Sequence, residues 1–391
     1  MVLGMKITDV KAAIVDGNFD WLLVKVETDE GIEGYGEAFP YADAVKPLVL
    51  RMKRLLVGED PTDVERLWQK MGPSVYGGFH VHAVSAIETA LLDITGKAYG
   101  VPVYKLLGGK FRERIPIYCD CHSGKPIASR ADYQLDKVNY TPEAYAENAR
   151  RIKRQGFNLL KFDIGLGMAA LAGPNGLLGG HPTDFGLAYF TKIAEALRDA
   201  IGHDVELALD CGMGTVSNAV RFVRAVEEYR LAWVEDILPS HNVDGWSVVT
   251  ASTKTPTLTG ETLYLREGFK ELIERQAIRI AAPDFQHCGG LIEGKKIAEL
   301  AGMHGMLAAP HNICTPLGTM ASVHACAAIP NLLALEFHAV ALPWWENLVK
   351  GVGKPIIKDG HIKVPDRPGL GVELNEEEIR KHLRKGESYF E

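Results

Sequence analysis

The sequence predicts an α/β protein built on a (β/α)8 barrel with an α+β module ahead of it, and three observations carry that expectation. From Ile115 onward, short apolar runs alternate with amphipathic helical segments, the grammar of βα units around a parallel sheet. Before Arg114 the pattern differs, with alternating strands first and long helical periodicity after them. The last polar residue of six successive strand candidates also recurs once per unit, at Asp210, Glu235, Glu261, Asp284, His311 and Glu336.

Taken in order, TDVKAAIV and WLLVKVETDEGIEGYGEA alternate apolar and polar residues and turn at Asp29-Glu-Gly31, the signature of a hairpin-rich sheet. PTDVERLWQKM follows with Pro61 and Thr62 as its helix start, then HAVSAIETALLDITGKAYG, closed by Gly100. The barrel strands are IPIYC, NLLKFD, VELALD, LAWVED, PTLTGE, IRIAAPD, GMLAAPH and NLLALEF. Between them lie the helical segments PEAYAENARRIKRQG, FGLAYFTKIAEALRDAIG, VSNAVRFVRAVEEYR, REGFKELIERQ and GLIEGKKIAELAGMHG. Eight strand candidates fit one closed barrel. The tail, with PDRPGLG and the helical NEEEIRKHLRK, has the character of the first module. The expected organisation is residues 1–114 as the α+β part, 115–350 as the barrel, and 351–391 returning to the first part.

The bulk numbers narrow the function. A chain of 391 residues, 47% hydrophobic, with a net charge of −7, is a globular protein without long Lys/Arg runs. It carries no electrostatic footprint for nucleic acid or anionic membrane, which leaves small-molecule chemistry. MVLGMKITDV lacks the basic and apolar segments of a secretory signal, so a cytoplasmic location is expected. A long run without Asp, Glu, Lys or Arg, Ala301 to Leu335, is broken by prolines and histidines and reads as barrel interior rather than as a membrane span. Six sparse cysteines point to reduced thiols, and Cys119-Asp-Cys121-His122 lacks the second pair that a structural zinc site needs.

The strand-end series is spaced by 25, 26, 23, 27 and 25 residues. In a barrel, all six side chains therefore reach the same mouth, where active sites of this architecture sit. Asp210, Glu235 and Glu261 would supply three hard oxygen donors suited to magnesium. A single acid there would read as a cap on the following helix; three in register favour a metal. Asp284 beside His311 would fix the imidazole tautomer and raise its basicity, giving a general base. Lys161 and Asp163 share one face of the second strand, so Lys161 either faces a bound anion or pairs with Asp163.

These residues resemble the enolase superfamily, in its mandelate racemase and muconate lactonizing enzyme branch. The resemblance extends over nearly the whole chain through WLLVKVETDEGIEGYGEA, SAIETALLDITGKAYGVPVYKLLGG, PDFQHCGG and PDRPGLGVELNEE. It implies an α+β capping domain over a modified (β/α)8 TIM barrel, and one Mg2+ per subunit on Asp210, Glu235 and Glu261. It also implies a His311–Asp284 base that removes the proton α to a carboxylate, a Glu336 that hydrogen-bonds the substrate carboxylate, and a homo-oligomer. Lys161 matches the first lysine of the branch's Lys-x-Lys motif. Asp163 replaces the second, the opposite-face base of the racemases, which disfavours two-base racemisation. Gly212 stands where some sugar-acid dehydratases carry a histidine on the third strand.

LAAPHNICTPLG is similar to galactonate-type dehydratases and LKFD to gluconate-type ones. The implied substrate is an acid sugar, and the implied reaction is dehydration to a 2-keto-3-deoxy acid. An epimerase, racemase or cycloisomerase is the nearest alternative, and an inactive scaffold relative is the non-enzymatic one. The long connections HSGKPIASRADYQLDK and IGLGMAALAGPNGLLGGHPTDF, with Asn18, Phe19, Asp20 and Trp21, are expected to meet the distal end of such a substrate.

Overall fold

The computed structural model describes residues 4–123, 140–165 and 175–391. The chain opens with an antiparallel sheet of β1 (Ile7–Asp16), β2 (Asp20–Thr28) and β3 (Glu33–Ala38). Three longer helices follow, α1 (Ala42–Leu56), α2 (Val64–Met71) and α3 (Phe79–Tyr99), with single helical turns at Pro73–Tyr76 and Val103–Leu106. Gly100 closes α3 in the left-handed region, at φ 69°, as its position after GKAY predicts. The start of α2 differs from expectation. Thr62 turns its hydroxyl to Asp60 and the helix begins at Val64, because Asp60 draws Thr62 into the preceding turn. The helix α1 was not read from the sequence at all, and Pro47 lies inside it.

All eight barrel strands form where the apolar runs predict them: β4 (Arg114–Cys121), β5 (Leu159–Asp163), β6 (Glu206–Asp210), β7 (Trp233–Glu235), β8 (Thr257–Thr259), β9 (Ile280–Ala281), β10 (Leu307–Ala308) and β11 (Leu335–Phe337). Neighbours pair in parallel from β4 through to β10, and β11 pairs with β4. A single parallel bridge, Ala308 with Leu332, closes the ring. The connecting helices are α4 (Pro142–Lys153), α5 (Asp184–Ile201), α6 (Val216–Ala225), α7 (Val243–Ala251), α8 (Leu265–Glu274), α9 (Leu291–Met303) and α10 (Pro316–Ala327). Thr141, Thr183 and Thr215 each accept a hydrogen bond from the N–H three residues on, capping α4, α5 and α6, at about 1 kcal/mol per cap.

Residues 301–335 are mostly buried, but they are not barrel interior. Every residue of α10 is buried, yet this helix lies outside the barrel, between its wall and the first module, where it meets Glu37 of β3. Of this stretch Ala309 and Ala334 join the inner apolar layer, with Leu333 packed against it. At the other end of the chain, α11 (Glu376–His382) leads into Leu383, which bridges Val15 of β1, and Arg384 N–H donates to Ile14. The end of the tail thus packs on the first sheet, whereas His361–Lys363, expected to return to the first module as well, pairs antiparallel with β4 of the barrel. No helix among the described residues is long and apolar enough to cross a membrane.

Candidate active site at the barrel mouth

Side chains alternate along a strand, so each barrel strand sends every second residue inward. The floor is a buried apolar layer of Tyr118, Ala208, Trp233, Leu258, Ile280, Ala282, Ala309 and Ala334, with Leu159 packed against it. Two residues further along these strands stand Asp120, Lys161, Asp210, Glu235, Asp284, His311 and Glu336. A layer of ionisable groups therefore lies directly on an apolar one. On β8 the equivalent position is Gly260, whose φ of 139° is open to glycine alone. That turn brings Glu261 into the mouth one residue out of phase, which accounts for the uneven spacings of 26 and 23.

The structure brings together the three acids predicted as metal ligands. Each of Asp210, Glu235 and Glu261 offers an oxygen, and these atoms lie within 4.8 Å of one another. Burial and the mutual repulsion of the acids push Asp210 and Glu235 above the usual carboxylate range, against the pull of Lys161. Glu235 is buried and Asp210 and Glu261 are partly so, and a hard cation on their converging oxygens is the arrangement that relieves their mutual repulsion. The donor set fits a metal ion. Among the described residues the Cys119–His122 segment forms no such group, and all six cysteines are buried free thiols.

Lys161 sits between two acids from across the barrel, with Nζ 2.9 Å from Glu235 Oε1 and 2.7 Å from Glu336 Oε1. It also lies 3.7 Å from both Asp120 and Asp210. The expected alternative, a pair with Asp163, gives way to these contacts because they come from inward neighbours on a closed ring. Burial disfavours its ammonium, yet Glu235, Glu336 and Asp120 hold it charged. Asp163 is near His122, at 3.9 Å from Nδ1.

His311 and Asp284 form the expected dyad. Nδ1 of His311 is 2.6 Å from Asp284 Oδ2, and Nε2 faces the mouth, 3.4 Å from Glu261 Oε2 and 3.7 Å from Glu336 Oε2. Burial would lower the imidazole pKa, but Glu261, Glu336 and Asp284 raise it to about 10. Asp284 is fully buried, and His287 and His311 hold it below the usual range despite that burial. Glu336 accepts from Asn312 N–H at 3.1 Å. Burial alone would raise its pKa, but Lys161 and His311 bring it below the usual value.

Three site members escaped the sequence reading. Asp120 is pushed up to about 6 by burial against the pull of Lys161; strand alternation from Tyr118 was the signal that could have found it. His338, two residues past Glu336, accepts a 2.8 Å hydrogen bond at Nδ1 from Asn18. His287 lies 3.8 Å from Asp284. The loop at 17–20 does reach the barrel: besides Asn18, Trp21 Nε1 donates to the Ile313 carbonyl at 2.8 Å. In the two long connections, residues 124–139 and 166–174 lie outside the described residues.

Comparison with known proteins agrees with this geometry. Residues 12–108 match the family described as mandelate racemase / muconate lactonizing enzyme, N-terminal domain, and residues 144–378 match enolase C-terminal domain-like. D-xylonate dehydratase of Haloferax volcanii is 39% identical, covering 99% of this chain and 91% of that protein. D-galactonate dehydratase of Variovorax paradoxus is 32% identical, over 92% and 90%. The crystal structure of a mandelate racemase/muconate lactonizing enzyme-like protein from Rubrobacter xylanophilus superposes with a TM-score of 0.92 at 37% identity, covering 99% of this chain and all of that one. With both of its family regions matched and the barrel in place, the chain belongs to the enolase superfamily, in the mandelate racemase/muconate lactonizing enzyme branch.

Proposed function

We propose that the protein is a Mg2+-dependent acid-sugar dehydratase that converts an aldonic or related acid to a 2-keto-3-deoxy acid, working in the cytoplasm. The observation that carries this reading is the pairing of the His311–Asp284 dyad with the three convergent acids, His311 Nε2 standing 3.4 Å from Glu261. The dehydratase names of the two relatives support it.

Asp210, Glu235 and Glu261 would hold the Mg2+, which when bound supplies fixed positive charge for the oxygens of a substrate carboxylate as negative charge builds there. Glu261 is the largest of the charges that hold His311 protonated, and with that charge taken up by a cation the imidazole can give up its second proton; Asp284 then keeps the other on Nδ1 and leaves the Nε2 lone pair facing the mouth. Nε2 then takes the proton α to the carboxylate. The resulting imidazolium returns that proton to the β-hydroxyl as its C–O bond breaks, so that one water leaves and the enol relaxes to the ketone. Lys161 and Glu336 line the side that receives the substrate carboxylate. Glu336 can bond that carboxylate only when protonated, and the arrival of a second negative charge beside it raises its affinity for a proton. With Asp163 in place of a lysine, no second base of that type stands on the opposite face.

A library of acid sugars screened by mass spectrometry tests this reading. The expected product lacks one water mass. A product of unchanged mass would instead mark an epimerase or cycloisomerase, and failure to bind Mg2+ at millimolar concentration would mark an inactive scaffold.

A further inference from the structure

His287 touches two parts of the site from behind. Its ring is buried three residues beyond Asp284, and Nε2 is hydrogen-bonded to the backbone carbonyl of Glu261. A carbonyl only accepts, so Nε2 carries a proton. The strand β8 ends at Thr259, and after the turn at Gly260 the Glu261 carbonyl meets the imidazole instead of a ladder partner. On the other edge of the ring, Nδ1 stands 3.8 Å from Oδ2 of Asp284, the oxygen that receives His311. It has no hydrogen-bond partner among the described residues.

The ring is also clamped from the capping side. His82 of α3 stacks on it, with centroids 4.8 Å apart and planes at 26°. His82 is itself fixed at both nitrogens, by the Phe39 carbonyl at 2.8 Å and the Tyr264 hydroxyl at 3.2 Å. Burial pushes His82 down to about 3, in keeping with one nitrogen donating and the other accepting. A chain of contacts thus runs from β3 and α3 through His82 and His287 to a metal-ligand strand end and to the partner of the catalytic imidazole.

We infer that His287 is a positioning residue: one imidazole fixes the Glu261 strand end and the Asp284 carboxylate relative to each other, and the capping region reaches both through His82. The inference rests on the proposed site for its chemistry, but part of its test is independent of the substrate. Mn2+ affinity by calorimetry, and kcat and KM on the acid sugar, are compared in wild type, His287→Leu, His287→Gln and His82→Ala.

Leucine removes the donor to Glu261, whereas the glutamine amide places an N–H near the former Nε2. H287L is expected to bind Mn2+ about 10–100-fold more weakly and to lose kcat on a similar scale, with KM changing less than about threefold. H287Q is expected to recover Mn2+ affinity to within about threefold of wild type, and H82A to lower both Mn2+ affinity and kcat, each by less than H287L does. If H287L does not fold, His287→Asn, too short to reach the carbonyl, takes its place. Wild-type Mn2+ affinity and kcat in the donor-less variant would overturn the inference. So would an H287Q that binds Mn2+ no better than H287L, or an H82A with wild-type kcat. Should the wild type dehydrate no acid sugar, the proposed function fails while the Mn2+ comparison still decides the role of His287.

Discussion

Glu235 at the barrel mouth and Glu88 on the capping helix α3 are both removed from water, yet their surroundings are opposite. Glu88 accepts backbone N–H bonds from Leu291 at 2.9 Å and Ile292 at 3.0 Å, at the start of the barrel helix α9. Gly290 makes room for it, since a Cβ there would come within 2.5 Å of the carboxylate. Glu37 does the same at the start of α10, accepting from Thr315 and Gly318 N–H groups and from the Thr315 hydroxyl. These seam acids are single, and the fold itself satisfies them at helix N-termini, where negative charge is favoured. Glu235 converges with two other acids, and its own bonds come from Lys161 and the Trp233 indole. The helix-capping reading weighed for the strand-end acids thus describes Glu37 and Glu88. A seam acid completes the fold, and a mouth acid waits for a cation.

That contrast can be broken most sharply at Glu235. The substitution E235Q is expected to abolish Mg2+ binding and to lower turnover by about 10^3-fold or more. Because it also removes one of three mutually repelling charges, the metal-free variant should melt no lower than metal-free wild type. Saturating Mg2+ should raise the melting temperature of wild type but not of E235Q, by linkage worth about 2.7 kcal/mol at a hundredfold excess over Kd. Calorimetry, a turnover assay, and thermal melts with and without Mg2+ check these four expectations.

At the seam the ordering of effects reverses. E88A leaves two helix N–H groups without their acceptor, at about 1–3 kcal/mol for each buried group. It should therefore lower the unfolding free energy clearly while Mg2+ affinity stays near wild type, as read by urea unfolding beside calorimetry. A lost Mg2+ site in E88A would show that seam and mouth are not separate devices.

A smaller effect distinguishes them by pH. Burial pushes Glu37 and Glu88 up to about 7, against their N–H donors, from an ordinary 4.5. A folded-state pKa above the unfolded one means that the protonated carboxyls contribute stability that is complete below about 4.5 and lost as pH rises through 7. Between pH 6 and 8 the loss should be about 1 kcal/mol per group. E88Q, which cannot ionise, should flatten the pH dependence of the melting temperature, and an unchanged slope would contradict the assignment.

Much of this was legible in the sequence, for identifiable physical reasons. The barrel strands are short, apolar and bounded, so strand period and strand-end polarity carried the architecture and six of the mouth residues. The helices α10 and α7 were missed because a polar face is what makes helical periodicity visible. Every residue of α10 is buried, and α7 is rich in valine and small residues with no charged stripe. Lys161 was placed at the mouth, but its partners come from β7 and β11, and a closed ring is needed to bring those together. Glu37, Glu88 and His287 left no signal, since their partners include backbone groups that any sequence would supply.

The central claim is that His311, backed by Asp284 and set beside three metal-binding acids, removes the proton α to a carboxylate. Proton exchange at that carbon in D2O, followed by NMR on a 3-deoxy analogue of the substrate acid sugar, which can lose the α-proton but has no β-hydroxyl to eliminate, tests it most directly. The account predicts deuterium incorporation by wild type with Mg2+, and none by H311N, which should still bind Mg2+. Exchange persisting in H311N at the wild-type rate would contradict it.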